Sequence, residues 1–262
     1  MKTTWQAFRG SLITQATLTL ARPTFQIVLV LQPIVMATIA FMLYRNTTQA
    51  SDFMAFVVVG SGIAGMWSSI AFSSAGDINR ERAYGTLSAL FFTPTSMVVI
   101  MLGKIAANAL LSAFSLVVSL VFAGLVLRVP LTVAYPWVFV LGLVMFLVAT
   151  NLFALALSSL FLVSRSTAVM QNFLEYPILI ISGIFFPITL LSRWAQIVGW
   201  PIPLTWGGEL MRLAVGPELD THALMRNILI LGGLSVFYLG ASRGLFQIIG
   251  RRVRVTAQLD LY

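Results

Sequence analysis

The sequence predicts an all-α integral membrane protein that crosses the bilayer six times. Three observations carry this. Hydrophobic residues make up 59% of the 262 positions and charged residues only 9%, against about 25% charged in a soluble domain. A fold this apolar could not present a wettable exterior, so lipid is the solvent that fits. The apolar residues also fall into stretches of about 20, the length that spans a hydrocarbon core roughly 30 Å thick. Finally, Lys and Arg are scattered at the ends of these stretches, where they set topology.

Residues 1–22 read as an interfacial helix. Trp5, Phe8, Leu12 and Ala16 recur at helical spacing, with Thr4, Arg9 and Gln15 elsewhere on the wheel. Ser11, Thr14, Gln15, Thr17 and Thr19 make this stretch too polar for a signal-peptide core. A polar leader without structure is the alternative. The spans are expected over 24–44, 53–72, 97–127, 137–163, 167–186 and 223–249. No fixed repeat period appears, so one membrane domain over 1–262 is the simplest partition. Within the second span, Gly60, Gly62 and Gly65 read as sites of close helix packing.

Two connections stand out. Residues 77–94 carry the charged turn Asp77, Asn79, Arg80, Glu81 and Arg82, then Tyr84, Gly85 and Thr86, then an apolar stripe of Leu87, Leu90 and Phe91 ended by Pro94. Asp77 and Arg80 can meet on a helix face, and Gly85 lets a short helix turn. The pattern suits a docking element, although ordinary loops show such features too. Residues 188–216 contain Trp194, Trp200, Pro201, Pro203, Trp206, Gly207 and Gly208. They read as two short helices in or on the outer leaflet, since proline breaks helices and tryptophan favours the headgroup layer.

Six spans put both termini on one side. With the N-terminus in the cytoplasm, eleven basic residues lie inside and five (Arg45, Arg128, Arg193, Arg212 and Arg226) outside, so both termini are expected to be cytoplasmic. Arg251, Arg252 and Arg254 form a stop signal that either anchors topology alone or also binds anionic lipid.

The chain lacks the apparatus of catalysis. There is no Cys, and His222 is the sole histidine, in a predicted loop. The eight carboxylates (Asp52, Asp77, Glu81, Glu175, Glu209, Glu218, Asp220 and Asp260) form no paired constellation. No metal-ligand spacing or GxxxxGK[ST] loop is present. The net charge of +8 does not indicate nucleic acid, because the basic residues are dispersed at helix ends.

Several polar groups fall inside spans, where charge is costly and faces protein or water. Lys104 and Glu175 each lie eight residues into a span from its cytoplasmic end, about 12 Å along a helix. They could pair, or Lys104 could snorkel to the interface. Gln32 beside Pro33, Asn108 and Asn151 must find partners across helices. Phe185, Phe186 and Trp206 either line an exit or serve as packing and lipid anchors.

Beyond these readings, the string RERAYGTLSALFFTPTS (Arg80–Ser96), followed by Gly103-Lys104, resembles the permease subunits of ABC-2 type transporters. A second mark follows in order: Pro177, then SGIFFP with Ser182, Gly183, Phe185, Phe186 and Pro187, then PIPLTW with Pro203 and Trp206, then Leu210-Met211-Arg212. The resemblance covers essentially the whole chain. It implies a dimer, with a second copy or a homologous permease, each subunit docked on a separate ATP-binding cassette subunit that carries ATP and Mg. Residues 77–86 would be the coupling helix in a groove of that ATPase, and 188–216 re-entrant external helices. It further implies export across a bacterial cytoplasmic (inner) membrane, with no catalytic residue or cofactor in this chain. The low charge within the spans favours an amphipathic or lipid-like cargo. An ion-coupled carrier and a membrane scaffold are the alternatives.

Overall fold

The computed structural model describes residues 2–45, 54–85, 97–129, 133–163 and 167–256. It is all-helical, with no strand among the described residues. In lipid a spanning segment must satisfy its backbone internally, which leaves a chain of this pattern the helix. In order, the elements are α1 (Lys2–Leu20), α2 (Pro23–Tyr44), a π-helical turn (Met54–Val59) leading into α3 (Gly60–Ala83), α4 (Met97–Leu125), α5 (Pro136–Val163), α6 (Thr167–Ile181), a 3-10 turn (Ile188–Leu190), α7 (Arg193–Gly199), α8 (Pro203–Leu213) and α9 (Thr221–Thr256).

Proline punctuates several starts. Pro23, Pro136 and Pro203 open α2, α5 and α8, where a missing N–H costs no hydrogen bond and the fixed φ suits a helix. Pro33 and Pro177 instead lie inside α2 and α6. Among the described residues, four helices are long and apolar enough to cross a membrane: Pro23–Tyr44, Val98–Leu125, Pro136–Ser159 and Thr221–Ile248. Phe56–Ala71 and Val169–Ile181 are shorter apolar helices.

The architecture centres on α3. Every residue from Phe56 to Ala71 is buried, on all faces of the helix. Helices α2, α4, α5 and α6 all pack against it. Lipid tails are as apolar as leucine, so helices associate here through close packing and hydrogen bonds. The glycines supply the first. A Cβ on Gly60 would lie 2.7 Å from the Ile184 carbonyl oxygen, one on Gly62 2.4 Å from Leu116, and one on Gly65 3.1 Å from both Pro33 and Ser115. The serines supply the second: Ser61 and Ser119 share a hydrogen bond of 2.5 Å, and Ser115 donates to the Leu29 carbonyl at 3.2 Å. Trp67, Phe153 and Tyr238 then stack in sequence, with centroids 5.7 and 5.0 Å apart, joining α3, α5 and α9.

The helix ends differ from the expected spans in three places. The second span does not stop at residue 72; α3 runs unbroken to Ala83. The backbone of Asp77, Asn79, Arg80, Glu81 and Arg82 therefore continues the span instead of opening a separate short helix. Nothing between Gly65 and Tyr84 breaks a helix strongly, and Gly85 at φ +66° ends it. The fifth span stops at Ile181, short of Phe186, because Gly183 takes φ +65°. The last helix is longer at both ends than 223–249.

Candidate functional site

A line of polar side chains crosses the middle of the bundle. Gln32 of α2 donates from Nε2 to Ser68 Oγ at 3.3 Å. Ser68 and Gln171 in turn hydrogen-bond the Glu175 carboxylate. A hydroxyl both accepts and donates, so Ser68 can relay between an amide and a carboxylate. Ser68, Gln171 and Glu175 are all buried. α3 supplies the middle of the line because its small residues admit neighbours on every face.

Lys104 and Glu175 are not brought together. Their similar depth suggested a pair, but α3 packs against both α4 and α6, and its Ser68 reaches the carboxylate. Lys104 is half-buried and has interactions of its own. Its neighbour Gly103 has a structural task. A Cβ there would stand 2.7 Å from the Phe8 carbonyl oxygen and 2.9 Å from Ser11 Cβ, so Gly103 is where α1 crosses α4.

Beyond that crossing lies a buried polar knot. Gln15 donates to Thr19 Oγ1 at 2.9 Å and to Asn108 Oδ1 at 3.1 Å, and Thr19 donates to the same Asn108 oxygen at 3.1 Å. Gln15 and Thr19 are 2% and 0% exposed, whereas Trp5 is 64% exposed. The protein-facing stripe of α1 is thus partly polar, with Gln15 and Thr19 completing it alongside Phe8 and Leu12. Asn108 has found its cross-helix partner in α1. Asn151 has not: its amide turns back on the Leu147 carbonyl at 2.6 Å, and its Oδ1 has no partner among the described residues.

The segment after α6 folds into a cap on one end of α3. Ser182 donates to the Leu179 carbonyl at 2.9 Å as the helix ends. Gly183 then turns the chain, and the carbonyls of Gly183 and Ile184 both face the Arg212 guanidinium at 3.4 Å. That guanidinium also lies 4.8 Å from the centroid of the Phe56 ring, which stacks on Tyr44 at 5.4 Å. Tyr44 donates to the Phe185 carbonyl at 2.7 Å. The SGIFFP turn is therefore held through its backbone by Tyr44 of α2 and Arg212 of α8, and Phe56 of the π-helical turn packs against both. Phe185 and Phe186 are half-buried, and Pro187 precedes the 3-10 turn. Arg212 is the residue whose role sequence reasoning missed; its place in the second mark was the available signal.

Pro203 is buried at the start of α8, and Trp206 donates from Nε1 to the Trp200 carbonyl at 2.7 Å. Gly207 presses on Phe146, where a Cβ would come within 2.5 Å. Tyr238 of α9 donates to the Pro201 carbonyl at 2.6 Å, and Arg226 pairs with Glu209 at 2.8 Å. α8 is thus fastened to α5 and α9, and α7 packs on the end of α6, while Trp194 and Trp200 stay exposed at 67% and 61%. Exposed tryptophans of this kind suit the membrane interface.

At the other end of α3, Tyr84 is exposed and Gly85 adopts its left-handed turn. Thr86 and the apolar stripe Leu87, Leu90 and Phe91 lie outside the described residues.

A model of the family described as ABC-2 type transporter matches residues 7–215. The match takes in α1 to α8 apart from the first turn of α1, and contains both sequence marks together with the polar line, the knot and the cap. A search of curated proteins gave no match.

Proposed function

We propose, from the premise that this multi-pass membrane protein belongs to the ABC-2 type transporter family, that it is the permease subunit of an ATP-driven exporter. The family match over 7–215 carries this reading. The two shorter apolar helices complete six spans, with both termini cytoplasmic, in a bacterial inner membrane. Two permeases, identical or homologous, enclose the pathway, and each docks on a cassette ATPase that holds ATP and Mg. An amphipathic or lipid-like substrate moves outward between them.

The charged end of α3 is the coupling element. Asp77, Asn79, Arg80, Glu81 and Arg82, with Tyr84, Gly85 and Thr86 after them, engage a groove of the ATPase. Continuity of helix from Gly60 to Ala83 supports this, since a rigid rod carries movement at its charged end to the buried centre of the bundle. ATP drives the cycle by binding one conformer more tightly than the other, because equal affinity shifts no equilibrium. The Arg212 clamp and the outer cap close the exit in the inward-facing state.

Co-expression with a cassette ATPase tests the proposal. Replacing Arg80, Glu81 and Arg82 with alanine is expected to lower substrate-stimulated ATP hydrolysis by about tenfold, roughly 1.4 kcal/mol of coupling, with the permease still assembled. A permease that is active without any ATPase, and whose transport follows an ion gradient, would overturn the reading.

A further inference from the structure

A groove of about 310 Å³ runs along α4 beside α2. Every side chain lining it is apolar, among them Ile34 of α2 and Phe114, Val118, Val121, Phe122 and Val126 of α4. Phe114, Val121 and Val126 are exposed, so the groove opens away from the bundle. From Phe114 to Val126 is twelve residues, about 18 Å along a helix. That is slightly more than the hydrocarbon of one leaflet, half of a core roughly 30 Å thick.

Two arginines stand at one end of the groove. α3 runs opposite to both groove helices: its Ser61 and Gly65 meet Ser119 and Ser115 of α4, while Phe56 before it and Gly65 within it meet Tyr44 and Pro33 of α2. Pro33 and Ser115 therefore share one level. Arg45 lies twelve residues beyond Pro33 and Arg128 thirteen beyond Ser115, so both sit about 18–20 Å from that level, at the same end. Both are exposed, and neither guanidinium has a hydrogen bond or ion pair among the described residues. Arg128 also holds an unfavourable backbone. At φ +53° it is the one non-glycine residue at positive φ among the described residues. The Val129 N–H reaches past it to the Ala123 carbonyl at 3.0 Å, closing a helix end whose left-handed position ordinarily falls to glycine. An arginine kept where glycine is favoured is a backbone outlier of the kind that marks function.

We propose that this groove holds an acyl chain of an anionic phospholipid, with the lipid phosphate at Arg128 and Arg45. The lining offers hydrocarbon and nothing else, which suits a chain and not a polar solute. A guanidinium presents a planar fork that matches phosphate. Two such cations at one level favour a head group with net negative charge over a zwitterionic one. A second copy of the chain fits the same face less well. Copies related by a two-fold axis along the membrane normal present the same patch to each other, which would gather four arginines at one level.

The site is independent of export and of any ATPase, so the full chain in detergent suffices to test it. The purified protein is titrated with phosphatidylglycerol and with phosphatidylcholine of the same chains, and bound lipid is counted by native mass spectrometry. One phosphatidylglycerol should bind about tenfold tighter than phosphatidylcholine. Arg128→Gly should remove most of that preference while the protein unfolds no sooner, since glycine suits the turn. Val121→Trp fills the groove and should weaken both lipids. Equal affinity for the two lipids in the wild type overturns the site, and that comparison needs no variant. An undiminished preference in Arg128→Gly overturns it too, and moves the preference to another basic cluster such as Arg251, Arg252 and Arg254. Glycerophosphoglycerol carries the head group without chains and should not displace the lipid; displacement at matching concentration would assign the arginines to a free phosphate instead. If Val121→Trp leaves both lipids bound and splits an oligomer, the groove is a contact between copies and the proposal fails.

Discussion

Gly103→Ala should loosen α1 from the bundle. The new Cβ would stand 2.7 Å from the Phe8 carbonyl oxygen, a backbone atom that cannot swing aside. Relaxing that contact to an ordinary ~3.4 Å moves α1 outward by roughly 0.7 Å. Asn108 lies five residues on, so the same shift acts on its hydrogen bonds from Gln15 and Thr19, both 3.1 Å. At roughly 3.8 Å neither qualifies as a hydrogen bond. The two interhelical hydrogen bonds are worth about 0.6 kcal/mol each, and overpacking against the Phe8 carbonyl adds about 1–3 kcal/mol. Alanine recovers about 1 kcal/mol of helix propensity over glycine. The net loss is about 1–3 kcal/mol. The assay is reversible unfolding by sodium dodecyl sulfate in mixed micelles, with faster proteolysis of α1 as a second readout. Gly10→Ala is the control, because a Cβ at Gly10 meets nothing within 4 Å. If Gly103→Ala is as stable as Gly10→Ala, the close crossing of α1 and α4 is not what secures α1.

Two further outcomes concern Arg212 and the start of α9. Arg212→Lys should fail to rescue Arg212→Gln, because one ammonium cannot face two carbonyls and a ring as the planar guanidinium does; both variants should speed proteolysis at residues 183–192, and full protection in Arg212→Lys would refute the clamp. Asp220 accepts from the backbone N–H groups of Ala223 and His222 at 3.0 and 2.9 Å, and these bonds hold its carboxyl below the usual aspartate range. A depressed pKa means the Asp220 cap is fully present above the unfolded pKa and is lost as pH falls through the folded one, so the protection factor of the Ala223 amide, its rate relative to an unstructured amide at the same pH, should hold through the usual aspartate range and fall only below it, whereas Asp220→Ala should lower it at every pH.

Apolar runs of span length are a one-dimensional property, so α2, α4, α5 and α9 were visible from composition alone. Close packing at Gly60, Gly62 and Gly65 was legible because glycine inside an apolar helix has few other uses. Gly85 as a helix terminator was legible for a similar reason, but Gly183 was hidden inside an apolar stretch that looked continuous to Phe186. The faces of α1 were harder. Amphipathic periodicity assumes a protein-facing stripe that is apolar, and Gln15 and Thr19 violate that assumption because Asn108 stands opposite them.

By itself, then, the sequence determined that this protein lives in lipid, that its backbone is helical, and where some of its helices begin and end. Those follow from local properties: transfer free energy summed along a segment, and the φ preferences of proline and glycine. Tertiary structure alone decided that α3 is the buried centre, that Glu175 meets Ser68 and Gln171 instead of Lys104, and that Arg212 holds the turn at Gly183 and Ile184. Depth along a helix can be counted from the chain, but which faces meet depends on how several helices pack at once. For α3, buried on every side, one helical wheel could not show its partners.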